Sequence, residues 1–543
     1  DLRARASGPA VGHPPSTVDA RRLDRWAMSL DILAAHAAAR PDDDAVTDGD
    51  LVLSLSELNE AVNRYGNVLR GLDVRAGEKV LWVGENSWEV VAVNHAARKV
   101  GAVCVPMNYR LAPDEAAYVI DNCDAVVVLF DIEQTDQLES IRAERTAVRE
   151  WFTFRTLGQP GPEWARDLDA EAAEASTAEP DRAGDDPTAG TTMIYTSGTT
   201  GKPKGTVRRA DGGASTAALL GIFGWTTEEV YLSTGPLYHS APLGFMLAVQ
   251  ALGGSVIVQR HFDPEDWLRL VDRHKVTTSF SAPTPIRRVV DLPDEVRSRY
   301  DTSSLTSLLA NAAPWPFELK KKYVERINDH SLFEIYGSTE LGVNTILIPD
   351  EQMRKPGSCG RPVPGVDIVL VDDEGKEITE PMVAGELFVS SDATFATYYK
   401  DPDKYDAGKR GDHLSVGDIA YRDDEGFVYI CDRKSDMIIS GGVNIYPAEI
   451  EAVLVAHPSI EDAAVFGVPD EEWGEAVHAV ITTYDGEPLA DEDVQAFCRE
   501  HLAGYKVPRS LSRMHEIPRS ASGKIQKRQM REPFWEGHGT RIG

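Results

Sequence analysis

Residues 194–207 read IYTSGTTGKPKGTV. Glycines let a backbone take positive φ and approach a ligand closely. Successive N–H groups in such a loop form a concave nest for an anion, and the hydroxyls of Thr196, Ser197, Thr199 and Thr200 add donors around Gly198 and Gly201. Lys202 and Lys204 supply charge. The stretch is not the nucleotide loop G-x-x-x-x-G-K-[ST]: only two residues separate Gly198 from Gly201, and Pro203 after Lys202 removes a backbone donor. The run SASGKIQK around Lys524 fails the same pattern, because Pro518 stands where its first glycine belongs. Composition leaves two readings open here, a phosphate nest or a solvated Gly/Thr hairpin with incidental lysines.

The surrounding chain narrows the ligand. It has 543 residues, enough for two or more domains, with 42% hydrophobic residues for large cores. Fifty-six basic against 87 acidic side chains give a net charge of −31. Such a surface repels nucleic acid and anionic membrane, so a bound anion needs a locally positive pocket. The 5 cysteines (Cys104, Cys123, Cys359, Cys431, Cys498) are scattered without a CxxC pair. They read as reduced thiols of a cytoplasmic enzyme, not as a zinc site or a disulfide framework. No apolar run approaches the ~20 residues of a membrane helix. Residues 1–28 read as a polar, loose tail without a signal-peptide core, and the first residue is not Met, so the natural start is expected upstream.

From about residue 29 the chain alternates. Ser29 or Asp31 is placed to cap a helix ending at Pro41. KVLWVG, AVCVPMN and AVVVLF read as strands separated by the helical WEVVAVNHAARKVG and APDEAAYVIDNC, the mark of a parallel sheet with helices on its faces. Residues 165–190, rich in Ala, Glu and Asp, read as a mobile acidic connection or a surface helix around 167–176. After about residue 360, GVDIVLVDDEGKEI, GELFVSS and GFVYICDR read as a β-rich subdomain. The expectation is an α/β protein. Its large domain, residues 29–432, holds two parallel-type subdomains plus the β-rich one, and a small mobile α+β domain spans 433–543.

Five motifs, taken in order, break the tie over the loop. YTSGTTGKPKG (195–205), YGSTE (336–340), the Gly-Asp of SVGDIA (417–418), DRKSDMIISGG (432–442) and PRSASGKIQKR (518–528) resemble the motif series of the adenylate-forming superfamily. That family holds acyl-CoA synthetases, nonribosomal adenylation domains and firefly-type luciferases, and the resemblance covers about residues 29–530. It implies a two-step reaction. A carboxylate attacks the α-phosphate of ATP, giving acyl-adenylate and pyrophosphate; a thiol, usually of CoA, then displaces AMP. It also implies Mg²⁺ on the phosphates.

Roles carried over by the resemblance fall as follows. Residues 196–204 would wrap the β- and γ-phosphates. Ala312, Ala313, Pro314, Gly337, Ser338 and Ile430 would line the nucleotide site, with Tyr336 on the adenine. Thr339 would bond the α-phosphate, Glu340 would hold Mg²⁺, and Asp418 and Arg433 would take the ribose. Lys524 would bridge carboxylate and α-phosphate. Rotation of the small domain would then exchange Lys524 for a second face. There Gly441 and Gly442 would leave room for pantetheine, and Trp473, Tyr505 and Lys506 would meet CoA. The family hinge position falls on Ser435, where Asp or Lys is usual.

His239, Ala241, Asn311 and Gly337 would shape the acyl pocket. The flanking segments 239–246, 280–288 and 309–316 are small or apolar, without an evident Arg or Lys aimed at a second acidic group, so a hydrophobic fatty, steroid side-chain or aryl monocarboxylate is expected. Asn311 stands where glycine is common, and TVRRADGG replaces the usual sequel to the loop. A separate carrier protein is the alternative acceptor, and a homodimer is the expected assembly.

Overall fold

The computed structural model describes residues 31–182, 184–196, 203–208, 214–484, 489–519 and 524–536, with side chains left aside at 214–218. Asp31, rather than Ser29, caps the first described helix, Ile32–Ala39: its carboxylate accepts from the Ala34 amide at 3.1 Å. The alternating segments then form a five-stranded parallel sheet in the order Val103–Met107, Lys79–Val83, Ala125–Asp131, Glu150–Phe154, Arg166–Asp167. Its strands are buried on both faces, as parallel strands must be where helices cover each side.

A second sheet has nine strands. Parallel strands Ser307–Ala310, Thr278–Ser281, Val230–Ser233, Ser255–Val258 and Asp44–Asp48 form its middle. Leu332–Ser338 continues the parallel run, and antiparallel Gly342–Leu347 follows it toward the edge. Helix Trp88–Lys99 is packed between the two sheets and buries nearly all its residues, which explains an apolar run wider than one helical stripe.

Of the two readings of residues 165–190, the surface helix is the one the structure has. Helix Leu168–Glu174 begins on Asp167, whose carboxylate accepts from two amides. The chain beyond it is bonded along helix Leu55–Gly71. Arg64 donates to the carbonyls of Ala172, Ala173 and Ala175, and Asn67 donates to those of Ser176 and Ala178. Glu179 accepts from Asn59, Asn63 and Lys99. Polar side chains of a neighbouring helix thus satisfy this backbone, an arrangement that local composition does not reveal.

Asp367–Val371, Gly385–Ser390, Asp418–Arg422 and Val428–Arg433 belong to a seven-stranded antiparallel sheet, the β-rich part. The chain leaves that sheet at Arg433 and turns through exposed Ser435. At Ile438–Ser440 it enters a separate five-stranded sheet with its own core of Ile438, Ile450, Val465, Val477 and Val494. No helix among the described residues is long and apolar enough to cross a membrane.

Candidate active site

The opening stretch is a hairpin. Ile194–Thr196 and Lys204–Val207 pair antiparallel with Thr196 opposite Lys204, and Thr397–Tyr398 adds a third strand. Glycine is needed at Gly205, where a Cβ would come within 2.9 Å of the Met193 sulfur. Ser197, Gly198, Thr199, Thr200, Gly201 and Lys202 lie outside the described residues. Thr196 lines the central cleft. Lys204 does not meet the expectation of a phosphate contact: its ammonium donates to Asp401 Oδ2 at 2.6 Å, and it is not part of the cleft wall. An oppositely charged carboxylate next to the return strand captures it first.

The cleft itself, about 2590 Å³, lies between the two sheet systems and the small domain. One wall is built by the bulged end of strand Leu332–Ser338. The bulge falls between Tyr336 and Gly337. A Cβ on Gly337 would lie 2.2 Å from the Gly342 carbonyl oxygen, so only glycine permits this return of the chain. Ser338 Oγ accepts from the Leu341 amide at 3.1 Å and closes the turn that presents Thr339. Thr339 shares a 2.8 Å hydroxyl bond with Ser240, and its carbonyl accepts from Arg208 at 2.7 Å. Ala312, Ala313, Pro314 and Ile430 line the same cleft. Ala312 holds φ +75°, a strain on the order of 1 kcal/mol for an L side chain.

Across from that wall, Asp418 and Arg433 stand opposite each other on paired strands, 3.4 Å apart. Tyr336 donates its hydroxyl to Asp418 at 2.6 Å. Burial and the Asp418 charge push the Tyr336 phenol well up, so it stays protonated and remains a donor. Glu340 accepts from the Tyr398 hydroxyl at 3.2 Å. Among the described residues no three acidic, His or Cys side chains form a metal cage. A single carboxylate is nevertheless the donor set that suits magnesium, which keeps its waters and takes phosphate oxygens.

Lys524 comes from the small domain and lines this cleft with its side chain open to solvent there. Loss of hydration and the Arg433 charge lower its pKa, while Glu340 and Asp418 oppose that shift. His239 lies within its field. Burial first, then Lys524 and Arg110, bring the imidazole down to about 4, and its Nε2 has no hydrogen-bond partner among the described residues. Bonds across the domain boundary accompany this docking. Arg287 donates to the Glu461 carbonyl at 2.7 Å, and Lys527 stands 3.8 Å from Asp432.

Other expected residues lie elsewhere. Gly441, Gly442, Trp473, Tyr505 and Lys506 are not in the cleft wall. Gly441 and Gly442 adopt positive φ, and Gly441 lies under the Trp473 ring, where a Cβ would meet it at 2.6 Å. Tyr505 is exposed, and Lys506 pairs with Glu449 at 2.6 Å. Asn311 lines the cleft, but its amide nitrogen is committed to the Ile335 carbonyl at 2.7 Å. Ala241 also lines it. Sequence reasoning missed Ser240, Tyr398 and the role of Arg208. Only Arg208 carried a signal, as the first arginine of the unusual sequel to the loop.

In a chain of net charge −31 this cleft brings the cations Arg208, Arg433 and Lys524 to its wall beside Asp418 and the hydroxyls of Thr339 and Ser240, a setting for a polyphosphate and a reacting acid, while Glu340 lies behind the wall. The AMP-binding enzyme family matches residues 33–399, and the AMP-binding enzyme C-terminal domain matches 449–524. A feruloyl-CoA synthase from Amycolatopsis is 34% identical over 94% of this chain and 99% of its own. A long-chain-fatty-acid–CoA ligase of Mycobacterium tuberculosis is 30% identical over 89% of this chain and 94% of its own. The solved amide bond synthetase McbA from Marinactinospora thermotolerans superposes with TM-score 0.82 at 27% identity, covering 92% of this chain and 99% of its own. The chain therefore belongs to the AMP-binding enzyme family, in the branch that holds its acyl-CoA ligases.

Proposed function

We propose that this enzyme joins a carboxylic acid to CoA in two steps. The acid's oxygen attacks the α-phosphate of ATP and pyrophosphate leaves; the CoA sulfur then attacks the acyl carbon and AMP leaves. The observation that carries this reading is Lys524, delivered by the small domain into a cleft whose other walls hold Asp418, Arg433, Thr339 and His239. Lys524 bridges the acid and the α-phosphate, lowering the repulsion between two anions. Asp418 accepts the ribose hydroxyls once its bond from Tyr336 is released. Thr339, oriented by Ser240 and Arg208, donates to the α-phosphate. Magnesium at Glu340 would neutralise phosphate charge.

His239 stays neutral at physiological pH and stands between acid and thiol without carrying charge to either. For the second step the small domain turns about the exposed segment at Ser435, withdrawing Lys524. The face of Gly441, Gly442 and Trp473, now outside the cleft, then meets CoA. The buried free thiols suit a cytoplasmic enzyme. An acid panel with ATP and CoA, scored for pyrophosphate and AMP, tests the reading. AMP release that requires CoA supports it; AMP release that requires a carrier protein or an amine instead would replace the acceptor.

A further inference from the structure

The acid's distal end has a polar station of its own. Helix Ser240–Leu252 runs inward from the reacting end of the cleft. His239, Leu243, Leu247 and Ala251, spaced by four and so on one helix face, all line the cleft. From His239 to Ala251 the helical rise is roughly 18 Å. The walls along this path are apolar, but its far end is lined by Asp31, Ile32, His95, Arg98, Arg182 and Gly190.

The elements there are fixed. His95 bonds Gln250 at 2.8 Å, tying helix Trp88–Lys99 to helix Ser240–Leu252. Arg98 follows one turn later. Ala96, Ala97, Lys99 and Val100 are all buried, yet Arg98 is exposed, and its surface lines the cleft. Among the described residues no carboxylate lies within ion-pair distance of Arg98. Asp31 acts on it from farther away, and that carboxylate is already engaged by the Ala34 amide and by Lys99 at 3.5 Å. Arg182 lies alongside. A Cβ built on Gly190 would be 3.3 Å from the Arg98 carbonyl and 3.8 Å from Arg182 Nη2. The Arg182 guanidinium thus lies by the Arg98 backbone, and both arginines line this end of the slot with Asp31 as the carboxylate there. A cation that faces an apolar slot without a close counter-ion favours a ligand that brings one.

We infer that Arg98, with Arg182 beside it, receives an oxygen acceptor at the far end of the acid, most strongly a second carboxylate, about 18 Å from the reacting one. This rests on the ligase reading above. It adds a distal acceptor to the expected hydrophobic acid, on cations that come from helix Trp88–Lys99 and the 165–190 connection, not from the segments that flank the pocket in sequence. Arg98 is a specificity residue that touches the substrate's remote end and takes no part in the chemistry.

The test compares hexadecanoate with hexadecanedioate in wild type, R98M, R98K and R182M, by pyrophosphate release with ATP and CoA. Wild type should favour the diacid in kcat/KM by about tenfold or more, a typical margin for a charge-assisted bond. R98M should reverse that preference, chiefly through KM for the diacid, and R98K should keep part of it. A wild-type preference for the monoacid, or an R98M variant that loses both acids equally, overturns the inference. Should R98M not fold, R182M must still weaken the diacid selectively. If no acid releases pyrophosphate, the ligase reading fails, and calorimetric titration of the two acids still decides the end-group question: equal affinity rejects it.

Discussion

Replacing Lys204 or Asp401 by alanine separates two jobs that the second lysine of the hairpin could hold. Lys204 donates to Asp401 at 2.6 Å, with side chains 18% and 37% exposed. A charge-assisted bond contributes ~1.5–3 kcal/mol, and the exposure of Asp401 discounts this to about 1–2 kcal/mol. That energy holds strand Lys204–Val207 to the cap of helix Pro402–Ala407, where Asp401 also accepts from the Lys404 amide. Losing it lowers the fraction of chains with a formed loop by roughly 5–30-fold. K204A and D401A should therefore raise KM for ATP by similar factors in pyrophosphate exchange, and the double variant should be no worse than either. The Asp401 pKa is lowered, first by the bond from Lys204, so the anchor is complete above 3.8 and is lost only as pH falls through the folded value. A loss on the order of a hundredfold in K204A beside a near-normal D401A would refute the anchor, since uncoupled effects mark a lysine that acts on phosphate directly.

Gly337→Ala places a Cβ against the Gly342 carbonyl, a backbone atom that cannot swing aside; melting should show a loss of about 1–3 kcal/mol with a raised KM for ATP, and unchanged values for both would contradict the bulge account. Tyr336→Phe should leave ATP use within a few-fold while Asp418→Ala removes most of it, because the Tyr336 bond must yield to the ribose; equal losses would make the tyrosine hydroxyl a ligand in its own right. His239 should titrate near 4 by NMR, and K524A should raise it toward 6.5. Its depressed value means that the docked state loses stability relative to one with a solvated imidazole as pH falls from 6.5 toward 4. A His239 value unmoved in K524A would show that the ammonium does not act there.

The alternation of strand and helix up to Asp131 was legible because each segment carries its own period, and Pro41 stops the first helix. The Gly/Thr loop was half legible. Its glycines told of a tight turn, but pairing with Thr397–Tyr398 and the Asp401 anchor depend on partners some two hundred residues away. Of the two readings of 165–190 the surface helix held and the mobile connection did not, since the donors that order the rest sit on helix Leu55–Gly71. Asn311 looked like a pocket group, and only the position of the Ile335 carbonyl shows where its amide goes. Arg98, inside an otherwise buried helix, gave no sign that its side chain opens onto the cleft.

The division of labour assigned to Lys524 is the claim on which the rest depends. Single-turnover assays of K524A, one forming acyl-adenylate from ATP and acid and one transferring acyl from supplied adenylate to CoA, test it most directly. The first should fall by several orders of magnitude, in line with losing a charge placed on the reacting groups. The second should stay near wild type if, as proposed, Lys524 leaves the cleft before the thiol arrives. Equal loss of both half-reactions, or a spared first step, would contradict it.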